Sequence, residues 1–509
     1  MARYKIIDRS PRFIPVVLDA QLMSGSFEYA LDYLIDHELD VSALDARYIN
    51  DKTGASAYNP RVLLKIILLA YSRGMVSSRQ IERACRENVL FMAISGDSTP
   101  QFTTLAKFVR ELRDEIGALF TQVLMICDAQ GLIGRQMFAI DGVKLPGNAS
   151  KKRSGNHAEL THQADRIEAA VNTMLAAHQR QDESKDLDDS ETSHLQRIDQ
   201  LSREAKRIRE FLATHQERRS FKGTIRKSNV TDNDSAKMAT SKGVIQGYTG
   251  IAAVDSANQV IVAAVSHGSG SEQEVLLPVI EQTCPYRTKE TLMTADAGYH
   301  SEANLKQLYE QAIPALIADG LMRKRDPRFA EQGKYQNQPH PLHNKRPAKI
   351  PGKFRPHDFI YDVDTDTCIC PAGHFLYSNG SHCVVDGRTH RKFQGSLGLC
   401  GPCELREQCL RYPDKTPARQ VAFFDKQQAS PLPYTERMKQ AIDSPQGRKL
   451  YGKRMAVVEP VFANIRYNKR LDRFTLRGQA KVNTQWQLYC LVHNIEKLAH
   501  HGYGAIRQK

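Results

Sequence analysis

Two short apolar runs that each end in a carboxylate constrain this chain most: Met137-Phe138-Ala139-Ile140-Asp141 and Thr291-Leu292-Met293-Thr294-Ala295-Asp296. Runs of that length between turn signals are strands, and strands need partners. Residues 248–254 and 259–266, rich in Val and Ile and joined by Asp255-Ser256-Ala257-Asn258, read as a hairpin. A helix over about 274–283, a second capped by Ser301 and a strand over 313–318 follow. Hairpin, helix, strand, helix, strand builds a mixed α/β sheet. Acids at the strand ends of such a sheet face the crevice where ligands gather, and Gly142 and Gly298 leave room for the chain to turn away. Asp141 and Asp296 are hard oxygen ligands suited to Mg²⁺ or Mn²⁺; a lone aspartate at a strand end is as readily a turn or cap residue.

The flanks read differently. Residues 1–130 are expected to be a helical, DNA-binding domain. Ser26 caps one helix, Pro60 opens an apolar helix over 61–71, and Ser77 or Ser78 caps a short helix carrying Arg79, Arg83 and Arg86. The alternative for those arginines is a solvated helix face. The catalytic core is expected over 131–320 and 435–509. Within it, the polar stretch 151–226 carries Ile167, Ala170, Val171, Met174 and Leu175, then Ile198, Leu201, Ala205, Ile208 and Leu212, at helical spacing. That pattern predicts a projecting helical hairpin joined by an acidic link. Residues 321–434 are expected to be a basic, Pro-rich loop (Arg323-Lys324-Arg325, Lys345-Arg346, Pro347, Pro351) followed by a Cys-rich insertion.

Charge points to the partner. In 509 residues, 71 Lys and Arg against 57 Asp and Glu leave +14, which favours a polyanion. No apolar run reaches the roughly 20 residues of a membrane span, and no apolar segment follows the charged start, so the expected address is the cytoplasm with no membrane partner. Six of the ten cysteines (Cys368, Cys370, Cys383, Cys400, Cys403, Cys409) are clustered, and in a reducing compartment that suggests a metal site. The Cys400-Gly-Pro-Cys403 spacing is half of a regular zinc site; reduced thiols in a small β-module are the alternative.

A third acid stands in Tyr451-Gly-Lys-Arg454-Met-Ala-Val-Val-Glu459-Pro-Val-Phe-Ala-Asn-Ile-Arg466, a helical pattern interrupted by Pro460. Either the helix restarts at the proline or it bends there. Glu459 and Arg466, seven apart, are expected on one face, followed by the basic run Lys469, Arg470, Arg473, Arg477 and Lys481, suited to phosphates.

Asp141 in Asp-Gly-Val-Lys, Asp296 in Ala-Asp-Ala-Gly-Tyr-His, Glu459 in Val-Glu-Pro-Val-Phe, the Cys-Pro-x-Gly and Cys-x-x-Cys elements and the terminal Asn494-Ile495-Glu496-Lys497 together resemble the DDE transposases of bacterial insertion sequences. The resemblance runs over nearly the whole chain. It implies an α/β, ribonuclease-H-like mixed-sheet core with an N-terminal all-α domain, a helical-hairpin insertion and a small Cys-rich insertion. It also implies Asp141, Asp296 and Glu459 as catalytic metal ligands. Tyr451, Arg454, Glu459 and Arg466 echo the group's Tyr, Arg, Glu, Lys signature. Arg454, however, stands one residue further from Glu459 than expected, and Arg replaces Lys at 466. Tyr451, Arg454, Arg466, Lys469, Arg470 and Arg473 are the residues expected to meet DNA. Cys370, Cys400, Cys403 and Cys409 are the zinc positions that match the family, with Cys368, Cys383, His374 and His390 as substitutes.

The activity so implied is metal-dependent cleavage at element ends and strand transfer to target DNA. The resemblance further implies double-stranded DNA as the partner, with a homodimer formed on it as one option, and the nucleoid of the cytoplasm as the place of action. Two divalent ions held by three carboxylates would serve an in-line attack on DNA phosphate without a side-chain nucleophile. A nuclease using the same acids, or an inactive transposase-derived zinc-containing DNA-binding protein, are the alternative readings.

Overall fold

The computed structural model describes residues 15–48, 56–112, 114–182, 191–219, 223, 225–240, 243–329, 353–362, 364–380, 383–385, 388–424 and 432–503. The acidic link 183–190, the Lys345–Pro351 part of the expected basic loop and the side chain of Cys383 lie outside the described residues. The chain divides into two compact units, one of residues 1–325 and 434–509, the other of 326–433.

The first unit opens with helices α1 (Phe27–Tyr33), α2 (Ser42–Asp45), α3 (Pro60–Ser72), α4 (Ser78–Glu87), α5 (Val89–Ser95), α6 (Phe102–Glu111) and α7 (Asp114–Ala129). The hydroxyl of Ser26 accepts from the Tyr29 amide as an N-cap, and Asn59 caps α3 with Pro60 in its first turn. Helix α3 is buried nearly all round, as its composition requires. Even Lys65 is buried there, its ammonium 2.7 Å from both Asp32 and Asp36. Leu112 adopts an extended backbone, which separates α6 from α7.

Strand β1 (Met137–Pro146) begins the sheet. The insertion follows: β2 (Ser154–Gly155), α8 (His157–Asp182), α9 (Glu191–Thr214) and β3 (Ser228–Asn229). Leu160 and Ala164 pack against Ile208 and Phe211, which sets α8 and α9 antiparallel, and the β2–β3 pairing closes the hairpin at its base. The sheet then adds β4 (Ala236–Thr240), β5 (Gly243–Asp255) and β6 (Ile261–His267). After α10 (Leu276–Gln282) come β7 (Leu292–Ala295), α11 (Glu302–Glu310), β8 (Ala315–Ile317) and α12 (Met322–Arg325).

Strand β1 pairs antiparallel with β5 on one side and parallel with β7 on the other, β7 pairs parallel with β8, and β5 carries both β4 and β6 on its far edge. Three antiparallel strands followed by two parallel to the first make a ribonuclease-H-like mixed α/β core. Met137 to Ile140 are all buried, because this stretch is central and covered on both faces.

Helices α15 (Tyr434–Asp443), α16 (Pro445–Ala463) and α17 (Gln479–His500) complete the unit. Trp486 of α17 lies flat on Gly250 of β5, where an added Cβ would come within 2.8 Å of the indole, and its Nε1 donates to the Ile251 carbonyl at 2.9 Å. Asn494 both donates to and accepts from the backbone of Ile261 at 2.9 Å, satisfying the edge of β6. Tyr71 of α3 stacks on Tyr489 of α17, with centroids 4.6 Å apart. The N-terminal helices and the sheet thus share one hydrophobic core.

The second unit is an antiparallel sheet of β9 (Ile360–Asp362), β10 (Thr367–Ile369), β11 (Phe375–Ser378), β12 (Cys383–Val385), β13 (Arg388–Gln394) and β14 (Gln420–Phe424). Two short helices, α13 (Leu397–Cys400) and α14 (Arg406–Cys409), lie between β13 and β14. Its small core is Phe359, Cys368, Leu376, Phe393 and Val421.

Candidate active site

The expectation that Asp141 ends a strand is corrected: β1 runs on to Pro146, and Asp141 pairs with Ala252 within it. What stops at this point is the parallel pairing, whose last register position is Ile140 opposite Ala295. Asp141 and Asp296 are the next residue on each strand, so the two carboxylates emerge as neighbours where β7 gives out. Asp296 then caps a tight turn, its Oδ1 accepting from the Gly298 amide at 2.9 Å.

Helix α16 brings Arg454 across β1. Its guanidinium, almost fully buried, sits 3.0 Å from Asp141 Oδ1 and donates to the Ile140 carbonyl at 3.2 Å. Asp141 Oδ1 also accepts from the Gly142 amide at 2.8 Å. Burial raises the Asp141 pKa, Arg454 and the amide oppose that, and the charges of Asp296 and Glu272 add to it. Tyr451, half-buried one turn before Arg454, is raised by burial and feels both aspartates. Tyr299 is fully buried, and its hydroxyl has no hydrogen-bond partner. Burial, with Glu272, Asp296 and Asp141 in turn, drives its pKa well up.

Glu272 went unnoticed in the sequence because it sits in a loop, Gly268-Ser-Gly-Ser-Glu272-Gln-Glu274, with neither periodicity nor a strand to mark it. Its Oε1 is 3.2 Å from Lys144 Nζ, and its Oε2 lies over Gly298.

Glu459 is not brought to this cluster. It is exposed on α16, and the charges acting on Asp141, Tyr299 and Tyr451 do not include it. The cause is helical phase. Each residue turns a helix by about 100°, so the extra residue between Arg454 and Glu459 rotates the carboxylate off the Tyr451–Arg454 face. Val458 takes that position and is fully buried. The helix continues through Pro460 instead of restarting there. The Ala456 carbonyl, deprived of the amide that Pro460 lacks, accepts from Gln259 Nε2 at 3.2 Å.

The residues expected to meet DNA divide. Two are corrected on burial. Arg454 serves Asp141, and Lys469 is fully buried with its ammonium 2.5 Å from Glu496, so neither is placed to meet phosphate. Burial lowers the Lys469 pKa while Glu496 raises it. Arg466 sits half-buried in a π-helical turn, Asn464–Asn468, with its guanidinium over the Tyr467 ring; this change of pitch breaks the expected phase with Glu459. Arg470, Arg473 and Arg477 are exposed. Arg473 donates to the Gly147 carbonyl at 3.2 Å and Arg477 to that of Asn148 at 2.7 Å, just beyond the end of β1. Arg470 and Arg473 also line a groove with Tyr71, Ser77, Ser78 and Leu105 of the N-terminal helices.

In the second unit, Cys370, Cys400, Cys403 and Cys409 line one cavity with His374. Burial raises the Cys409 thiol, and Cys400, Cys370 and Cys403 all act on it. Gly395 gives Cys400 its place, since a Cβ there would meet the sulfur. Cys368 instead belongs to the core, its thiol pushed up to about 11 by burial. Among the described residues, no three His, Cys, Asp or Glu side chains are drawn together tightly enough to hold a metal ion as they stand.

Two family models match the chain: a transposase DDE domain over residues 369–499, and a transposase domain, DUF772, over residues 16–111. The two matches support an insertion-sequence DDE transposase with an N-terminal and a C-terminal transposase domain. The DDE match takes in Glu459 and, of the Cys-rich unit, the part from residue 369 onward with Cys370, Cys400, Cys403 and Cys409, and the second match takes in α1 to α6. No curated protein and no solved structure matches the chain. Among the described residues, no helix of this chain is long and apolar enough to cross a membrane.

Proposed function

We propose that this transposase cuts DNA at the ends of its element and joins the cut strands to target DNA, with Asp141 and Asp296 at the centre of the chemistry. The register that sets them side by side where the β1–β7 pairing ends carries this reading. Two carboxylates with hard oxygens, set side by side by that register, suit Mg²⁺ or Mn²⁺. When bound, such an ion supplies Lewis acidity at the scissile phosphate and makes the attacking hydroxyl or water more acidic.

The chain's own residues do the rest. Arg454 holds Asp141 in place and neutralises it at rest. Tyr451 closes one side of the carboxylates, and Arg470, Arg473 and Arg477 bind phosphates along the duplex. Glu459 is exposed on the outer side of α16. The N-terminal helices and the α8–α9 hairpin add sequence-independent grip. In the Cys-rich unit, Cys370, Cys400, Cys403 and Cys409 would hold a structural zinc ion.

Cleavage of duplexes carrying the element's own ends tests the reading. Asp141→Asn and Asp296→Asn are expected to lose activity by about 10³-fold or more while DNA affinity stays within about twofold. Cleavage by either amide variant at the wild-type rate removes that aspartate from the chemistry.

A further inference from the structure

An exposed aromatic ring on its own calls for no explanation, but one on this chain stands in a built arrangement. Tyr309, near the end of α11, is 62% exposed, and its ring centroid lies 5.3 Å from that of Tyr434, the first residue of α15. The Arg437 guanidinium sits over both rings, 5.2 Å from each centroid. We propose that Tyr309, Tyr434 and Arg437 form a stacking site for the bases of an unpaired DNA strand. The reading of the chain as one that cuts and joins DNA enters only in naming the polymer.

The trio is set in place by the backbone beneath it. Ser301 caps α11, its hydroxyl accepting from the Asn304 amide at 3.2 Å. The two carboxylate oxygens of Glu302, the first residue of α11, accept from the first amides of α15, Tyr434 at 2.9 Å and Thr435 at 3.0 Å. Glu302 and Tyr309 are seven residues apart, two turns along one face of α11. The contact that fixes the start of α15 therefore also brings Tyr434 beside Tyr309. Rings oriented before a ligand arrives lose little freedom when it binds.

The chemistry selects the ligand. Glu436, next to Arg437 in sequence, pairs with Lys439, and among the described residues Arg437 has the two rings and no carboxylate as partner. A guanidinium whose face lies on aromatic rings keeps its N–H edge for an acceptor such as phosphate. Flat π-faces joined by anionic links are the mark of an unpaired nucleic-acid strand, whose bases stack on aromatic side chains with little regard to sequence. A duplex keeps those faces inside its own stack, and an acidic peptide offers charge without them.

Fluorescence anisotropy of the full chain with a labelled thymine homopolymer of about 20 nucleotides, beside a duplex of equal length, tests the site. Tyr309→Ala is expected to weaken single-strand binding about tenfold and to leave duplex binding within about twofold. Tyr309→Trp keeps a ring and adds an exposed indole to a chain whose only tryptophan, Trp486, is fully buried. The single strand should bind this variant as before and quench the new emission. Unchanged single-strand affinity in Tyr309→Ala overturns the proposal, and a lowered melting temperature alongside it would reduce the trio to a clasp between α11 and α15. An equal loss on both DNAs overturns it too, as does an indole left unquenched at saturation should the Ala variant not fold. Because binding alone is read, failure here leaves the cleavage reading to be judged by the aspartate variants.

Discussion

At the scale of single residues, His493 shows how the core depends on pH. Its Nε2 lies 2.9 Å from the Gln259 carbonyl and its Nδ1 3.2 Å from the Asn464 amide nitrogen. A neutral ring that donates through Nε2 and accepts at Nδ1 satisfies both, whereas a protonated ring would set two donors against each other at Asn464. Burial lowers its pKa from 6.5 to about 3. Between those values the unfolded chain takes up the proton and the folded chain does not. Stability is therefore full above pH 6.5 and falls as pH drops toward the folded value, by about 1.4 kcal/mol per pH unit. His493→Gln, which preserves a donor and an acceptor, should flatten that loss in denaturant melts between pH 6.5 and 4. An unchanged pH slope would place the acid sensitivity elsewhere, His267 being the next candidate since burial lowers it to about 4.

At the scale of elements, phase decides what can be read in advance. The apolar runs of β1 and β7, the Val-rich hairpin and the caps at Ser26 and Ser301 were legible, because alternation, run length and capping chemistry are local properties. The neighbourhood of Asp141 and Asp296 was legible too, as two acids following parallel strands. Glu459 was not, since its orientation depends on whether α16 stays regular through Pro460, which a side chain from the β5–β6 turn makes tolerable. Glu272 was hidden for the opposite reason: a loop has no period to reveal its direction. Lys469 reads as part of a basic run until the fold buries it against Glu496, a partner 27 residues away.

The Cys-rich element carries its own prediction. Protein purified without chelator should contain about one zinc per chain, and Cys400→Ser with Cys403→Ser should remove it and lower the melting temperature of that unit. A metal-free preparation with unchanged melting in the double variant would mean four reduced thiols around an apolar cavity.

At the scale of the molecule, the surplus of +14 charges is useful to DNA only where it is exposed. Arg470 and Arg473 meet that condition beside the groove lined by the N-terminal helices, while Arg454 and Lys469 do not. Replacing Arg470 and Arg473 by Ala should weaken binding to any duplex and flatten the slope of log K against log salt by about 0.9 for each phosphate left without its arginine. Arg454→Ala should leave that slope as it was. Salt titrations of the three proteins on one duplex decide the matter, and equal slopes throughout would move phosphate binding to the N-terminal helices or the α8–α9 hairpin.

The way the chain leaves and re-enters its first unit has a further consequence. It departs after Arg325 and returns at Tyr434. Arg325 is clasped by Asp443 at 2.6 Å, and Arg448 donates to the Arg325 carbonyl at 3.3 Å. Departure and return are thus knotted together inside the body that owns the aspartates. Closure entropy rises only slowly with the length of an excursion, so the host is nearly indifferent to what hangs between the knotted ends. Doubling the length of that stretch should therefore cost the host only about 0.6 kcal/mol, with the strands beneath it keeping their order.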